Sequence, residues 1–194
     1  KPHSSSNINQ PAGFQPMLLG TDYFEITIKD CTEHTSQEEE LQAKEDGIAN
    51  PKFGFIGGIP GATITKFEMG YIQGIKAIFP DAEIVDYYAN DWGKPELAKA
   101  QAKNWYDNGV YAIFSAAGGT GNGTIAQAKE YRSQGKNVWS IGVDSDQYAD
   151  GIYSGDKSAV LTSMIKRVES STKYALDAVA KNTFNSGVVL LDMA

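Results

Sequence analysis

The chain has 194 residues, which suits one substantial domain, and it is 41% hydrophobic and 21% charged, as globular proteins usually are. Its net charge of -7 and isoelectric point near 4.8 argue against a generally basic surface for nucleic acid, although they leave room for a local basic patch. No apolar run approaches the ~20 residues that are needed to span a bilayer.

The front of the chain, residues 1–50, has an irregular pattern. Residues 1–16 include three consecutive serines, three prolines and few apolar anchors, which predicts a poorly ordered arm. Residues 23–28 alternate well enough for one short strand. Residues 33–46 are polar and form at best a solvated helix. A wet surface is the favoured interpretation of their acidic run, and an interaction tail is the alternative.

From Phe53 onward, short apolar runs that end in Gly or Asp alternate with segments of helical periodicity. The pattern predicts four strands, at residues 53–58, 82–89, 110–117 and 137–143, separated by three helices, at residues 63–79, 94–108 and 124–133. This order predicts an α/β fold, in which right-handed crossovers build a parallel sheet covered on both faces.

The last part of the chain is predicted to form one long helix over residues 158–180 and a final strand over residues 187–191. Lys166 would then lie in the apolar stripe of that helix. A lysine in such a stripe usually keeps its ammonium in water, and ligand contact is the alternative.

Two carboxylates and an amide, from Asp144, Asp146 and Gln147, follow the fourth predicted strand. Ligands of open α/β sheets bind at the carboxyl ends of the strands, and one carboxylate can accept two hydroxyl hydrogen bonds from a sugar diol. We therefore favour ligand binding by Asp144 over a helix cap or a surface turn.

Glycine-rich turns follow the first and third strands. Residues 118–123 contain four glycines, more than one turn needs, so ligand contact is favoured there, whereas tight-turn packing explains Gly57 and Gly58 equally well. Neither turn has the G-K-[ST] of a Walker loop, and a dinucleotide fingerprint is absent.

Three aromatic residues have open interpretations. Phe67, early in the first long helix, is more often a core residue than a stacking platform for a planar base. Trp92 and Trp105 fit surface packing and packing between lobes equally well.

The sequence predicts no catalytic residue, metal site or cofactor. Both histidines, His3 and His34, lie in the irregular front segment, and neither a G-x-S-x-G elbow nor a Cys/His zinc cluster occurs. Asp144 and Asp146 together are a weak cation signal. Because Cys31 is the single cysteine, the chain cannot form an intrachain disulfide. No signal peptide begins at Lys1, and this predicts either a cytoplasmic chain or a mature product without its targeting sequence.

Four segments together resemble the basic membrane protein family, the substrate-binding lipoproteins of bacterial ABC transporters that include purine nucleoside receptors. The segments are residues 53–58 with 67–74, residues 117–121, residues 141–147 and residues 160–168. The resemblance covers residues 50–194. It divides the chain into an N-terminal remnant or linker (1–50), an α/β ligand-binding lobe (51–150) and a hinge return with a long helix and closing strand (151–194).

The resemblance implies a Rossmann-like lobe of a type I periplasmic-binding-protein fold, with the first lobe incomplete or missing. It implies that Phe67 stacks on a purine base and that Asp144 and Lys166 hold the ribose hydroxyls, with the backbone of Gly118 and Gly119 nearby. The implied partners are a nucleoside and an ABC permease, without nucleic acid. The implied location is the cell envelope, outside the cytoplasm, through a lipid anchor that lies beyond this chain.

Two rival functions stay open at this point. The same lobe serves as the ligand domain of sugar or autoinducer sensors and of transcriptional regulators, but residues 1–50 supply no helix-turn-helix. An enzyme that acts on a nucleoside would need a positioned base or a phosphate site, and the sequence predicts neither.

Overall fold

The computed structural model describes the backbone of residues 18–21, 24–27, 38–184 and 189–190, and the side chains of residues 38–184. The ends of the first and last predicted strands, at residues 23, 28, 187, 188 and 191, lie outside these ranges, as do residues 1–16 and 33–37.

Strands and helices alternate through most of the described chain, and two short 3₁₀ turns cover Gly118–Gly121 and Tyr148–Gly151. The other elements are, in order, β1 (Leu18–Thr21), β2 (Phe24–Thr27), α1 (residues 38–45), β3 (Lys52–Gly57), α2 (Ala62–Ile78), β4 (Ile84–Tyr88), α3 (Pro95–Asp107), β5 (Val110–Ala116), α4 (Asn122–Ser133), β6 (Trp139–Asp144), β7 (Ile152–Ser154), β8 (Lys157–Ser158), β9 (Val160–Ile165), α5 (Val168–Ala180) and β10 (Val189–Leu190).

The central sheet has five parallel strands in the order β4-β3-β5-β6-β9. Its strands are aligned at their carboxyl ends, since Gly57 pairs with both Tyr88 and Ala116, and Asp144 pairs with Ile165. The predicted parallel α/β fold is confirmed. Two small sheets accompany it, β1-β2-β10 and the antiparallel pair β7-β8.

Helices cover both faces of the central sheet, which is why β3 and β5 are buried along nearly their whole length. On one face, α2 packs Tyr71 and Ile75 against Phe55 and Phe114. On the other face, α3 and α4 pack against Ile56, Ile113 and their neighbours. Trp105 lies in this second core at 8% exposure, so its predicted surface or inter-lobe position is wrong.

The predicted helix over residues 158–180 is wrong in its first half. Residues 157–158 form β8, residues 160–165 form β9, and the helix α5 begins only at Val168. The apolar positions Leu161, Met164 and Ile165 fit a helix and a buried strand alike, because periodicity cannot separate the two over so short a run. Backbone hydrogen bonds with the edge of β6 stabilise the strand conformation of residues 160–165 over a helix.

The acidic run on α1 is not a wet surface, because Glu39 is completely buried. The hydroxyl of Tyr71 donates a hydrogen bond of 2.8 Å to its Oε1 atom, while Oε2 has no partner within the described residues. Burial raises the pKa of Glu39 to about 8, and the hydrogen bond from Tyr71 opposes this only in part. A protonated Glu39 therefore helps to fasten α1 to the lobe at neutral pH.

This burial predicts a pH-dependent stability. The folded chain holds the Glu39 proton up to about pH 8, whereas an unfolded glutamate releases it near pH 4.5. The contribution of the protonated group is therefore complete below pH 4.5, and it declines toward pH 8 by at most roughly 1.4 kcal/mol per pH unit. Glu39→Gln should flatten this slope and raise the free energy of unfolding at pH 8, measured by urea denaturation.

The matched control for that experiment is Glu45→Gln, because Glu45 is exposed on the same helix. It should leave the slope as it is. Equal slopes in the parent chain and in Glu39→Gln would contradict the assignment.

Candidate functional site

The carboxyl edge of the sheet gathers most of the residues that the sequence singled out. Gly58 follows β3, Gly118 and Gly119 follow β5, Asp144 ends β6, and Lys166 follows β9. Adjacent strands lie about 4.8 Å apart, so these positions line one continuous rim. The roles of the individual residues in binding stay predictions.

Lys166 lies in the two-residue link between β9 and α5, half-buried, and not within the apolar stripe of a helix. Its backbone N–H donates a hydrogen bond of 2.9 Å to the carbonyl oxygen of Asp144. The strand that the sequence missed thus brings Lys166 beside Asp144, which a continuous helix would not have done.

Asp144 has a backbone conformation that is unusual for a residue with a side chain, with a φ of 68°. The N–H of Ser145 donates a hydrogen bond of 2.8 Å to the carbonyl oxygen of Val143, so the chain makes a three-residue turn around Asp144. Such strain costs roughly 1–3 kcal/mol and concentrates at functional sites. In this turn the Asp144 side chain is exposed at the rim.

The side chains of Asp146 and Gln147 in the same loop are engaged in hydrogen bonds. Asp146 Oδ1 accepts from the Tyr148 N–H at 2.9 Å, and Gln147 Oε1 accepts from the Val143 N–H at 3.0 Å. The described residues supply no such partner to the Asp144 carboxylate. Of the two carboxylates and the amide in this loop, the Asp144 carboxylate is therefore the one whose polar atoms are all without a hydrogen-bond partner among the described residues.

The glycines of residues 118–123 divide into two kinds. A Cβ on Gly123 would collide with the carbonyl oxygen of Pro95, and a Cβ on Gly121 would lie 3.2 Å from the Ser115 carbonyl oxygen, so both serve packing. Gly118 and Gly119 are exposed, and Gly118 has a φ of 54°, which favours glycine. A Cβ on Gly119 would lie 3.1 Å from the Trp92 carbonyl oxygen, so this glycine also serves packing. Only this first pair presents backbone to the rim.

We predict that Gly123→Ala lowers the free energy of unfolding by about 2 kcal/mol or more, because its Cβ would meet the rigid backbone of α3. Gly61→Ala is the control, since a Cβ there meets open space, and it should cost less than about 1 kcal/mol. Chemical denaturation of both variants checks this, and equal losses would refute the packing role.

Phe67 lies in the buried core between α2 and the sheet, with 6% of its surface exposed. Its ring centroid is 6.3 Å from that of Phe114. This position matches the alternative of a core phenylalanine. The stacking role that the resemblance implies stays a prediction.

Trp92 is an exposed aromatic residue near the rim, and its sequence context predicted no role in ligand binding. Its indole is 44% exposed and packs over Gly58, where any Cβ would collide with the ring. A Cβ on Gly118 would lie 3.6 Å from the same ring. An aromatic residue shortly after the predicted strand at residues 82–89, together with glycine pairs after two other strands, is the signal that could have revealed it.

The Trp92 loop is fastened to the glycine turn through Thr120, which is buried. The Thr120 N–H donates to the Trp92 carbonyl oxygen at 3.0 Å. Its hydroxyl donates to the Asp91 carbonyl oxygen and accepts from the Lys94 N–H, both at 2.9 Å. Hydrogen bonds from the Gly93 N–H and from Lys94 hold the pKa of Asp91 below its ordinary value. Trp92 and the glycine turn therefore form one connected wall.

Residues 38–184 bring together no group of three or more His, Cys, Asp or Glu side chains that could hold a metal ion. Among the helices that the structure describes, none has the length and apolar character needed to cross a membrane.

Solved structures with the same fold are solute-binding proteins and regulators. An ABC transporter solute-binding protein from Aeropyrum pernix superposes with a TM-score of 0.71 at 24% identity, over 87% of this chain and 46% of that one. A LacI-family transcription repressor from Corynebacterium glutamicum gives a TM-score of 0.59 at 14% identity, over 89% of this chain and 64% of that one. The fold is thus that of a periplasmic-binding-protein lobe.

Residues 48–191 match the family described as ABC transporter substrate-binding protein PnrA-like, and the chain belongs to this family. A CD4+ T-cell-stimulating antigen from Listeria innocua is 44% identical over 138 residues, which are 68% of this chain and 38% of that protein. The ABC transporter nucleoside-binding protein BmpA of Lactococcus lactis is 34% identical over 72% of this chain and 42% of its own length. The chain spans about two fifths of the length of these curated relatives.

Proposed function

We propose that this chain forms one wall of a nucleoside site in the substrate-binding component of a bacterial ABC importer. The observation that carries the proposal is the exposed carboxylate of Asp144, held in a strained turn beside Lys166 at the carboxyl edge of the sheet. Family membership supports the transport role, and a relative named as nucleoside-binding supports the ligand class.

The proposed recognition of the sugar follows from the chemistry of the rim. A carboxylate accepts hydrogen bonds from two neighbouring hydroxyl groups, and an ammonium group donates to their oxygens. Asp144 and Lys166 supply this pair on adjacent strands, and the exposed backbone of Gly118 and Gly119 offers further polar contacts. A ribose diol fits this set of donors and acceptors.

The proposed recognition of the base differs from what the resemblance implied. Trp92 offers a half-exposed indole at the rim, whereas Phe67 is almost completely buried. Stacking of a base on an aromatic ring is worth ~1–3 kcal/mol. We therefore assign the stacking platform to Trp92 and a packing role to Phe67.

The proposed mechanism makes and breaks no bond. The ligand is captured between two lobes, hinge closure encloses it, and the loaded protein delivers it to a membrane permease. We place the protein outside the cytoplasm, held to the cell membrane by a lipid anchor, as the family resemblance implies. The regulator-like neighbours share only the fold at 14% identity, so they favour no second function.

Isothermal titration calorimetry of the natural full-length protein with adenosine, guanosine and inosine tests the ligand class. We expect at least one of them to bind. Asp144→Ala should weaken binding roughly 10- to 100-fold, because a charge-assisted hydrogen bond contributes about 1.5–3 kcal/mol.

Asp81→Ala is the matched control for this titration, because Asp81 is exposed on the loop before β4, away from the carboxyl edge. It should leave the affinity unchanged. Binding of none of the three nucleosides, or equal affinity in Asp144→Ala and the parent protein, would refute the proposed site.

The two aromatic assignments are separable. Trp92→Ala should weaken nucleoside binding at least 10-fold by loss of stacking, with little change in the unfolding temperature. Phe67→Leu should lower the unfolding temperature through loss of core packing and keep the affinity within about threefold. The opposite result would return the stacking role to Phe67.

A further inference from the structure

Gln147 joins the three segments that carry the rim residues. Its side chain bonds to the strand β6 just before Asp144 and to the start of α4 just after the glycine turn, and its backbone bonds to β9 three residues before Lys166. The residue is half-buried and follows Asp144 by only three positions.

The contacts of Gln147 fix both ends of its amide group. Oε1 accepts from the Val143 N–H at 3.0 Å, and Nε2 donates to Asn122 Oδ1 at 3.2 Å and to Asp150 Oδ2 at 3.3 Å. The backbone N–H of Gln147 donates to Ser163 Oγ at 3.0 Å. Few other orientations of this side chain would keep all of these bonds.

The space around Gln147 is equally constrained. A Cβ on Gly142 would lie 3.0 Å from the Gln147 Cβ and would collide with the Ser163 hydroxyl. Gly142, Gln147 and Ser163 therefore pack together directly beneath the turn at Asp144. A turn with a positive φ at a residue other than glycine persists only where its surroundings hold it.

We propose that Gln147 is a positioning residue, which holds the Asp144 turn in register with the glycine turn and with Lys166 by bonding to all three segments. This inference rests on the proposed function for its effect on ligand affinity. Its effect on the turn itself is independent of any ligand.

The test uses Gln147→Met in the natural full-length protein, because methionine has a similar volume and no amide. Gln73→Ala is the control, since Gln73 is also half-buried but lies within α2. Calorimetry with adenosine, guanosine and inosine is combined with amide hydrogen exchange at Val143 and Ser145, and at Ile113 in β5 as an internal reference.

We expect Gln147→Met to weaken nucleoside binding roughly 10- to 100-fold, as when an outer partner of a binding group is lost. Exchange should accelerate at Val143 and Ser145 and stay unchanged at Ile113. Because the effect passes through Asp144, Gln147→Met should change the affinity less than about twofold when Asp144→Ala is already present.

Three results would overturn the proposal. The first is that Gln147→Met binds nucleoside within twofold of the affinity of the parent protein, and the second is that the effects of Gln147→Met and Asp144→Ala on affinity multiply in the double variant. The third is that exchange at Ile113 accelerates as much as exchange at Val143 and Ser145. If the parent protein binds none of the nucleosides, the proposed function fails. Hydrogen exchange alone then tests whether Gln147 holds the Asp144 turn. Local acceleration at Val143 and Ser145 then supports the positioning role, and unchanged exchange refutes it.

Discussion

Backbone pairing between β6 and β9 determines where the proposed ligand-binding residues of this lobe lie. Parallel register brings the last residue of β6, Asp144, beside Ile165, and a further hydrogen bond ties Asp144 to Lys166. An anionic and a cationic group thereby come to adjacent strand ends without any direct contact between their side chains being needed. The remaining rim residues are positioned by the same rule, because each follows a parallel strand.

A second constraint is the close approach of helices and loops to the sheet. Gly54 admits the Trp105 ring on one face, Gly58 admits the Trp92 ring at the rim, and Gly123 admits the backbone of α3. Larger residues at these positions would push the covering elements outward. The glycine-rich composition of the strand ends therefore serves packing as much as ligand access, and it joins the aromatic wall to the core.

The alternation of strands and helices from Phe53 to Asp144 could be predicted because each element is long enough to show its period and is followed closely by Gly, Pro or Asp. The region from Ser158 to Ile165 could not, because pairing with β6 rather than local pattern determines its conformation. The burial of Glu39 was missed for a similar reason: an acidic run predicts solvent, and only the facing hydroxyl of Tyr71 makes the buried position tolerable.

In the candidate site too, some features follow from local sequence pattern and others depend on tertiary contacts. The strand-end rule found Asp144, Gly118 and Gly119 from sequence, since it depends on element order alone. Trp92 was missed because its ring is placed at the rim by packing against Gly58 and Gly118, which are distant from it in the chain. Gln147 entered the sequence analysis only as a polar neighbour of Asp144, and its role was missed because its amide bonds to Val143, Asn122 and Asp150 depend on the folded loop.

The positive φ of Asp144 also restricts how this lobe can diverge in evolution. Asparagine and glycine adopt left-handed backbone easily, whereas β-branched and bulky residues do not. Replacement by asparagine would keep the loop shape and exchange a pure acceptor for a group that also donates. Descendants of this protein can therefore change this position by very few routes that keep the turn, and each of them removes a negative charge from the rim.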